Sequence, residues 1–292
     1  MADRSPFDDL PRPLAVAVHD AGAANMIAAW AAAAETPPER VIAKGPALSI
    51  WQQRFGEDTD PASDPAALDD MACLISGTGW ASDLEHRARI AAARANVRSI
   101  AVLDHWVNYA ARFRRDGHDQ LPDAIWVGDD EARRIAEATF PALPVKTHPN
   151  LYPAEQARGA GPKPKDGDIL FLLEPARSDW GRGAPGEFQA LDFLLARREA
   201  AGIPLDAPVR LRPHPSDPPG KYADWIAAHE GARLDTSPDM ASALREARWV
   251  AGLNSMGLVI ALAAGRRVIS ALPAHAPACV LPQTDILRLA DV

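Results

Sequence analysis

The 292-residue chain carries two cysteines, Cys73 and Cys279. Two are too few for a disulfide framework or a structural zinc site. It also lacks a long apolar run. The longest candidate, Gly257 to Ala264, falls far short of the ~18 residues a membrane span needs. The opening residues MADRSPFDD have neither the basic start nor the apolar core of a signal peptide. Basic residues are in the minority, 31 against 39 acidic, for a net charge of −8. That balance opposes non-specific nucleic-acid binding, which needs Lys and Arg to displace counterions. H-E-x-x-H, P-loop, G-x-S-x-G and C-x-x-C patterns are all missing. These absences exclude collagen, coiled coil, transporter and small secreted scaffold. The expectation is a soluble, metal-poor, cytoplasmic protein with no transmembrane segment, for which only peripheral membrane association remains open.

What is present is an ordinary globular composition, 47% hydrophobic and 24% charged. The length fits two domains or one large one. Charge is uneven. Residues 1–150 hold 15 basic and 22 acidic side chains, a balance of −7, and residues 151–292 hold 16 and 17, a balance of −1. An anionic ligand is less repelled by the second half.

Short apolar runs alternate with helix-like stretches. Leu14–Val18, Met71–Ser76, Ser99–Leu103 and Ala124–Val127 read as strands, with helices over Met26–Ala34 and Asp129–Thr139. A further helix starts at Ser82, where Glu85 three residues on makes a capping-box pattern. From Pro149 to Asp168 four prolines and three glycines interrupt the alternation, which reads as an interdomain linker. It resumes with strands at Ile169–Leu173, Val209–Arg212, Trp249–Leu253 and Arg267–Ala271. Helices are expected at Gly186–Ala200, Tyr222–His229, Met240–Ala247 and Ser255–Ala264. The predicted architecture is α/β: two Rossmann-like parallel-sheet domains, 1–150 and 151–292, facing a cleft.

In open α/β sheets ligands bind beyond the carboxyl ends of strands, so strand-end residues are the candidates. Arg212-Pro213-His214-Pro215 follows one strand, and His214 there can donate to a phosphate or merely cap a turn. Asn254-Ser255-Met256-Gly257 opens a helix with free N–H groups, a small hydroxyl and a close-approach glycine, a phosphate cradle or an ordinary N-cap. Glu174, Arg177 and Arg182 follow the first strand of the second half, where the arginines can neutralise a diphosphate or lie in a solvated loop. In the first half, His19 and Asp20 end the first strand. Either is a candidate general base, unless Asp20 only caps the next helix. Asp104 and His105, with Trp106, Asn108 and Tyr109, offer hydrogen bonds and a stacking face for a sugar, or core aromatics under a loop. Ser76-Gly77-Thr78-Gly79-Trp80 is only partly dinucleotide-like, and no third small residue or following acid completes it. The acidic pairs Asp129-Asp130 and Asp58-Thr59-Asp60 do not sit beside a nucleotide-type loop, so no metal is expected.

The paired halves and the phosphate-type loops of the second resemble the GT-B glycosyltransferases. Arg212-Pro213-His214-Pro215 is similar to the His-Pro motif of bacterial sialyl-, polysialyl- and Kdo transferases, and Asn254-Ser255 with Arg266-Arg267-Val268-Ile269-Ser270 looks like their second donor motif. Only one serine stands where that group has a pair, and its acidic base motif has its nearest counterpart in Asp20 with Gly22. The resemblance implies a nucleotide-sugar donor, with a CMP-sugar as the form it points to, bound by the second half. It also implies a glycan or lipid-linked acceptor on the first half, transfer without metal or other cofactor, and a place in polysaccharide biosynthesis. The alternatives are a nucleotide-sugar 2-epimerase or hydrolase of the same fold, and a non-catalytic nucleotide-binding protein.

Overall fold

Leu14–Val18 (β1) is apolar at every position and wholly buried, the mark of a strand covered on both faces. Its side chains alternate. Leu14, Val16 and Val18 pack with Met26, Ile27 and Trp30, while Ala15 and Ala17 pack with Leu84, Ala88 and Ala92. In this computed structural model, which describes residues 4–56, 64–66, 68–80 and 82–292, the same arrangement builds two parallel sheets. The chain divides into two compact units, Met1–Tyr152 and Pro153–Val292.

Unit 1 runs β1, α1 (Ala21–Ala33), β2 (Arg40–Ala43), α2 (Pro46–Phe55), β3 (Cys73–Ser76), α3 (Leu84–Ala95), β4 (Arg98–Leu103), a small hairpin β5–β6 (Arg114–Arg115, His118–Asp119), β7 (Ala124–Val127), α4 (Asp130–Thr139) and β8 (Val145–Thr147). The sheet order is β2-β1-β3-β4-β7-β8, every pair parallel. The order reverses at β1/β3, where a crevice opens beyond the strand ends. Trp30 meets Trp126 edge to face at 5.8 Å and donates its indole N–H to Pro149 O at 2.8 Å. That contact anchors α1 beneath the sheet.

Unit 2 follows α5 (Leu151–Ala160) with β9 (Asp168–Leu172), α6 (Gly186–Arg197), β10 (Val209–Arg212), α7 (Ala223–Ala228), β11 (Ala232–Leu234), α8 (Met240–Glu246), β12 (Ala247–Gly252), α9 (Met256–Ala263), β13 (Arg267–Ser270) and β14 (Leu287–Arg288). Its order, β11-β10-β9-β12-β13-β14, is again all parallel and is that of dinucleotide-binding Rossmann sheets. The reversal lies between β9 and β12. Ile169, Phe171 and Leu173 pack on Ala190, Leu191 and Leu194 of α6.

Two expectations are corrected. The stretch read as a linker contains α5. Pro153 falls in its first turn, where its missing N–H costs nothing, and Asn150 Oδ1 accepts from Tyr152 N at 3.1 Å. The capping box does not form either. Ser82 Oγ takes Leu84 N at 3.1 Å, but Glu85 turns inward, where its Oε1 accepts from His19 N at 2.8 Å. The Asp58-Thr59-Asp60 pair lies outside the described residues.

Candidate functional site

In unit 1 the candidates gather at the β1/β3 reversal. His19 Nδ1 lies 2.7 Å from Asp20 Oδ1, and Asp20 Oδ2 accepts from Trp80 N at 3.1 Å. Asp20 occupies the N-cap position of α1 but makes no side-chain capping bond, so the capping alternative is set aside. With Asp20 accepting from Nδ1–H, the neutral imidazole keeps its lone pair on Nε2. Two glycines make room for the pair. A Cβ on Gly79 would fall 2.4 Å from the Asp20 carboxyl carbon, and one on Gly45 would fall 2.5 Å from His19 Nε2.

Glu85 lies behind this pair at 1% exposure, with Oε2 unpartnered. Burial raises its pKa. Sequence reasoning missed it because it read as a cap. The available signal was a Glu–Arg pair, Glu85 and Arg89, on the helix face that carries Ala88 and Ala92. Arg89 is itself buried, and desolvation brings it down to about 10.

Asp104, at the end of β4, pairs with buried Arg112 at 3.0 Å. Gly22 is there because a Cβ would lie 1.9 Å from Asp104 Oδ2. His105 Nδ1 accepts from Trp106 N at 3.0 Å. Trp106 and Tyr109 are buried, and the Trp106 indole N–H donates to Asp129, which also caps α4 through Ala132 N. The expected sugar-stacking face at Trp106 and Tyr109 is therefore core packing. Burial raises the Tyr109 phenol, whose oxygen has no partner.

In unit 2 the β9/β12 reversal joins two predicted loops directly. Glu174 Oε1 accepts from Asn254 N at 2.9 Å, and Asn254 Oδ1 accepts from Val280 N at 2.8 Å. Burial raises Glu174, against the pull of that bond. Ser255 is the N-cap of α9 and accepts from Gly257 N at 3.1 Å. A Cβ on Gly257 would press on Leu172 Cδ1 at 2.6 Å. His214 is exposed, and its Nδ1 accepts from Ser216 N at 3.2 Å, with Ser216 Oγ at 2.7 Å. The ring proton then sits on Nε2. Desolvation lowers the His214 pKa, Arg177 and Lys221 add to this, and Asp217 opposes it.

The remaining arginines differ. Arg177 and Arg182 are exposed on the loop after β9, Arg177 at φ +54°. Arg212 is not in that loop's company; it pairs with buried Asp235 and donates to Ser237 O at 3.1 Å. Asp235 also takes Arg210, which binds Asp168 at 2.9 Å. A second cluster escaped sequence reading. Lys221 bridges Glu187 at 2.5 Å and Asp217 at 2.7 Å, and Asp217 accepts from Tyr222 OH and His214 N. It fixes the turn that carries His214. Among the described residues no group of three or more His, Cys, Asp or Glu is placed to hold a metal ion, and no helix is long and apolar enough to cross a membrane.

Neither a protein-family model nor a curated protein matches the sequence. Solved structures do share the fold. The S. aureus MnaA–UDP complex is 12% identical with a TM-score of 0.61, over 88% of this chain and 78% of that one. A putative UDP-N-acetylglucosamine 2-epimerase from Listeria monocytogenes is 14% identical at 0.57, over 89% and 79%. The UDP-GlcNAc 2-epimerase of Neisseria meningitidis, bound to UDP-GlcNAc, is 12% identical at 0.53, over 84% and 78%. At these identities the likeness is one of fold: two Rossmann-like α/β units of the GT-B kind.

Proposed function

We propose that the chain is a glycosyltransferase that holds a nucleotide sugar on unit 2 and activates an acceptor hydroxyl, on a glycan or lipid-linked sugar, in unit 1. The observation that carries this reading is the His19–Asp20 pair at the β1/β3 reversal. Of the acids there, Asp104 is engaged by Arg112 and Glu85 by His19 N. His19 is the imidazole that a carboxylate orients, which suits a reaction that removes one proton.

His19 Nε2 takes the proton of the acceptor hydroxyl as its oxygen attacks the anomeric carbon. The bond from that carbon to the phosphate oxygen breaks, and the nucleotide leaves as the anion. Asp20 stabilises the imidazolium that forms. The leaving charge is met by the α9 N-terminus with Ser255, by His214 Nε2–H, and by Arg177 with Arg182; Gly257, whose own N–H is taken by Ser255 Oγ, lets that terminus pack on Leu172. Glu174 holds the Asn254 backbone in place for that cradle. No step calls on a metal.

A second reading, a nucleotide-sugar 2-epimerase, draws support from the Listeria and Neisseria structures, both named as 2-epimerases. The test is a thermal-shift panel of CMP, CDP, UDP and GDP. A nucleotide at 100 times its Kd stabilises by about 2.7 kcal/mol. The His-Pro resemblance points to CMP and the neighbours' ligands to UDP, so the panel also reads the base. Turnover of the matching nucleotide sugar in EDTA is then measured with and without sugar acceptors. Turnover only with an acceptor supports transfer, and 2-epimer formed without one supports the second reading. Binding with no turnover, or no stabilisation at all, overturns both.

A further inference from the structure

Seven of the eight tryptophans are buried or half-buried, six of them at 9% exposure or less; Trp80 is 48% exposed. A single exposed indole is ordinary; what sets Trp80 apart is its place beside the His19–Asp20 pair. Trp80 is also held still. Its backbone N–H donates to Asp20 Oδ2 at 3.1 Å, which ties the Trp80 main chain to the proton-transfer pair. One side of the ring lies against the buried Arg112 guanidinium, 5.5 Å from its carbon. The three carbonyls before it are each taken by an arginine: Gly77 O by Arg89 at 3.0 Å, Thr78 O by Arg112 at 3.4 Å and Gly79 O by Arg115 at 2.6 Å. Backbone held at Gly77, Thr78, Gly79 and the Trp80 N–H has less entropy left to lose on binding.

We infer that Trp80 is the stacking platform of the acceptor site, and that its occupant is a pyranose ring. An aromatic face pinned beside a carboxylate and an imidazole matches a ligand with an apolar C–H face and a rim of hydroxyls. Stacking on Trp80 then sets which hydroxyl reaches His19. The inference rests on the reading of unit 1 as the acceptor side, and it names the residue that selects the acceptor.

The experiment uses the full chain and a panel of methyl pyranosides (glucose, galactose, mannose and N-acetylglucosamine) together with N-acetylneuraminic acid. Binding is followed by saturation-transfer NMR and tryptophan fluorescence, with CMP and UDP as separate ligands. At least one pyranoside is expected to bind wild type saturably. Trp80→Ala should bind it about tenfold more weakly, equivalent to about 1.4 kcal/mol, and Trp80→Phe, which keeps a ring face, should bind close to wild type. Nucleotide affinity should not change in either variant. If no pyranoside binds, or if Trp80→Ala binds it as well as wild type, the inference fails even where nucleotides bind and the donor reading stands. If Trp80→Ala loses nucleotide instead, the platform carries a base and the inference is overturned. Pyranoside binding without nucleotide binding would keep the platform and sink the donor reading.

Discussion

Asp20→Asn tests the proton-transfer pair most sharply. Asp20 uses both oxygens, Oδ1 toward His19 Nδ1 at 2.7 Å and Oδ2 toward Trp80 N at 3.1 Å. Asparagine has one oxygen. If it faces His19, the amide N–H₂ confronts Trp80 N–H, and the imidazolium loses its counter-charge. If it faces Trp80, the amide donates to Nδ1, the ring proton moves to Nε2, and the base is gone. The first arrangement loses one hydrogen bond outright, and the second keeps two but exchanges a charged acceptor for neutral partners. A charged hydrogen bond is worth about 1.5–3 kcal/mol when buried. Asp20 is 29% exposed on its side chain, which screens the loss to about 1 kcal/mol. A unit of this size should then melt about 3 °C lower. Turnover should fall by ~10²–10⁴-fold, while nucleotide affinity stays at the wild-type value. The assay couples nucleotide release to a spectrophotometric readout, alongside thermal melts and calorimetric titration of the nucleotide. His19→Ala should abolish turnover. Wild-type turnover in Asp20→Asn would refute the orienting role. Wild-type turnover in both variants would move the base to Asp104 or His105.

Gly79→Ala leaves every functional group in place but puts a Cβ 2.4 Å from the Asp20 carboxyl carbon, so its turnover should drop toward that of Asp20→Asn; an unimpaired Gly79→Ala enzyme would mean the carboxylate position is immaterial. His214→Ala should fold normally, since the residue is exposed, and should bind nucleotide ten- to a hundredfold more weakly, as expected for one charge-assisted bond of about 1.5–3 kcal/mol; unchanged calorimetric affinity would remove His214 from the phosphate site. Glu85→Gln addresses burial. The folded-state pKa of Glu85 lies above its unfolded value, so the wild type loses stability from this group as pH rises from about 4.5. The glutamine lacks that loss, and its urea midpoint relative to wild type should rise between pH 4.5 and 8. A difference that is flat with pH would contradict it.

The central strands and the helices between them were legible from the chain alone. β1 and β7 fall at their predicted residues, because a strand buried on both faces is a short continuous apolar run; β10 does so as an alternation of Val209 and Leu211 with arginines. The four parallel strands that escaped, β2, β8, β11 and β14, are the four sheet edges. Each is short and partly exposed, and half-solvated edges carry little apolar pattern. The helix α5 escaped because proline reads as a breaker, whereas position within the first turn decides its effect. Strand-end placement of His19, Asp20, Glu174, His214 and Asn254 was also local information, since each stands within two residues of a strand pattern. What those side chains do was not. Whether Asp20 caps or orients, whether Glu85 caps or supports His19, and whether Trp106 or Trp80 shows its face to solvent all depend on partners up to 66 residues away in sequence. Those partners meet only when the parallel crossovers bring the ends of β1, β3 and β4 to one edge, and a propensity or a spacing carries no record of that meeting.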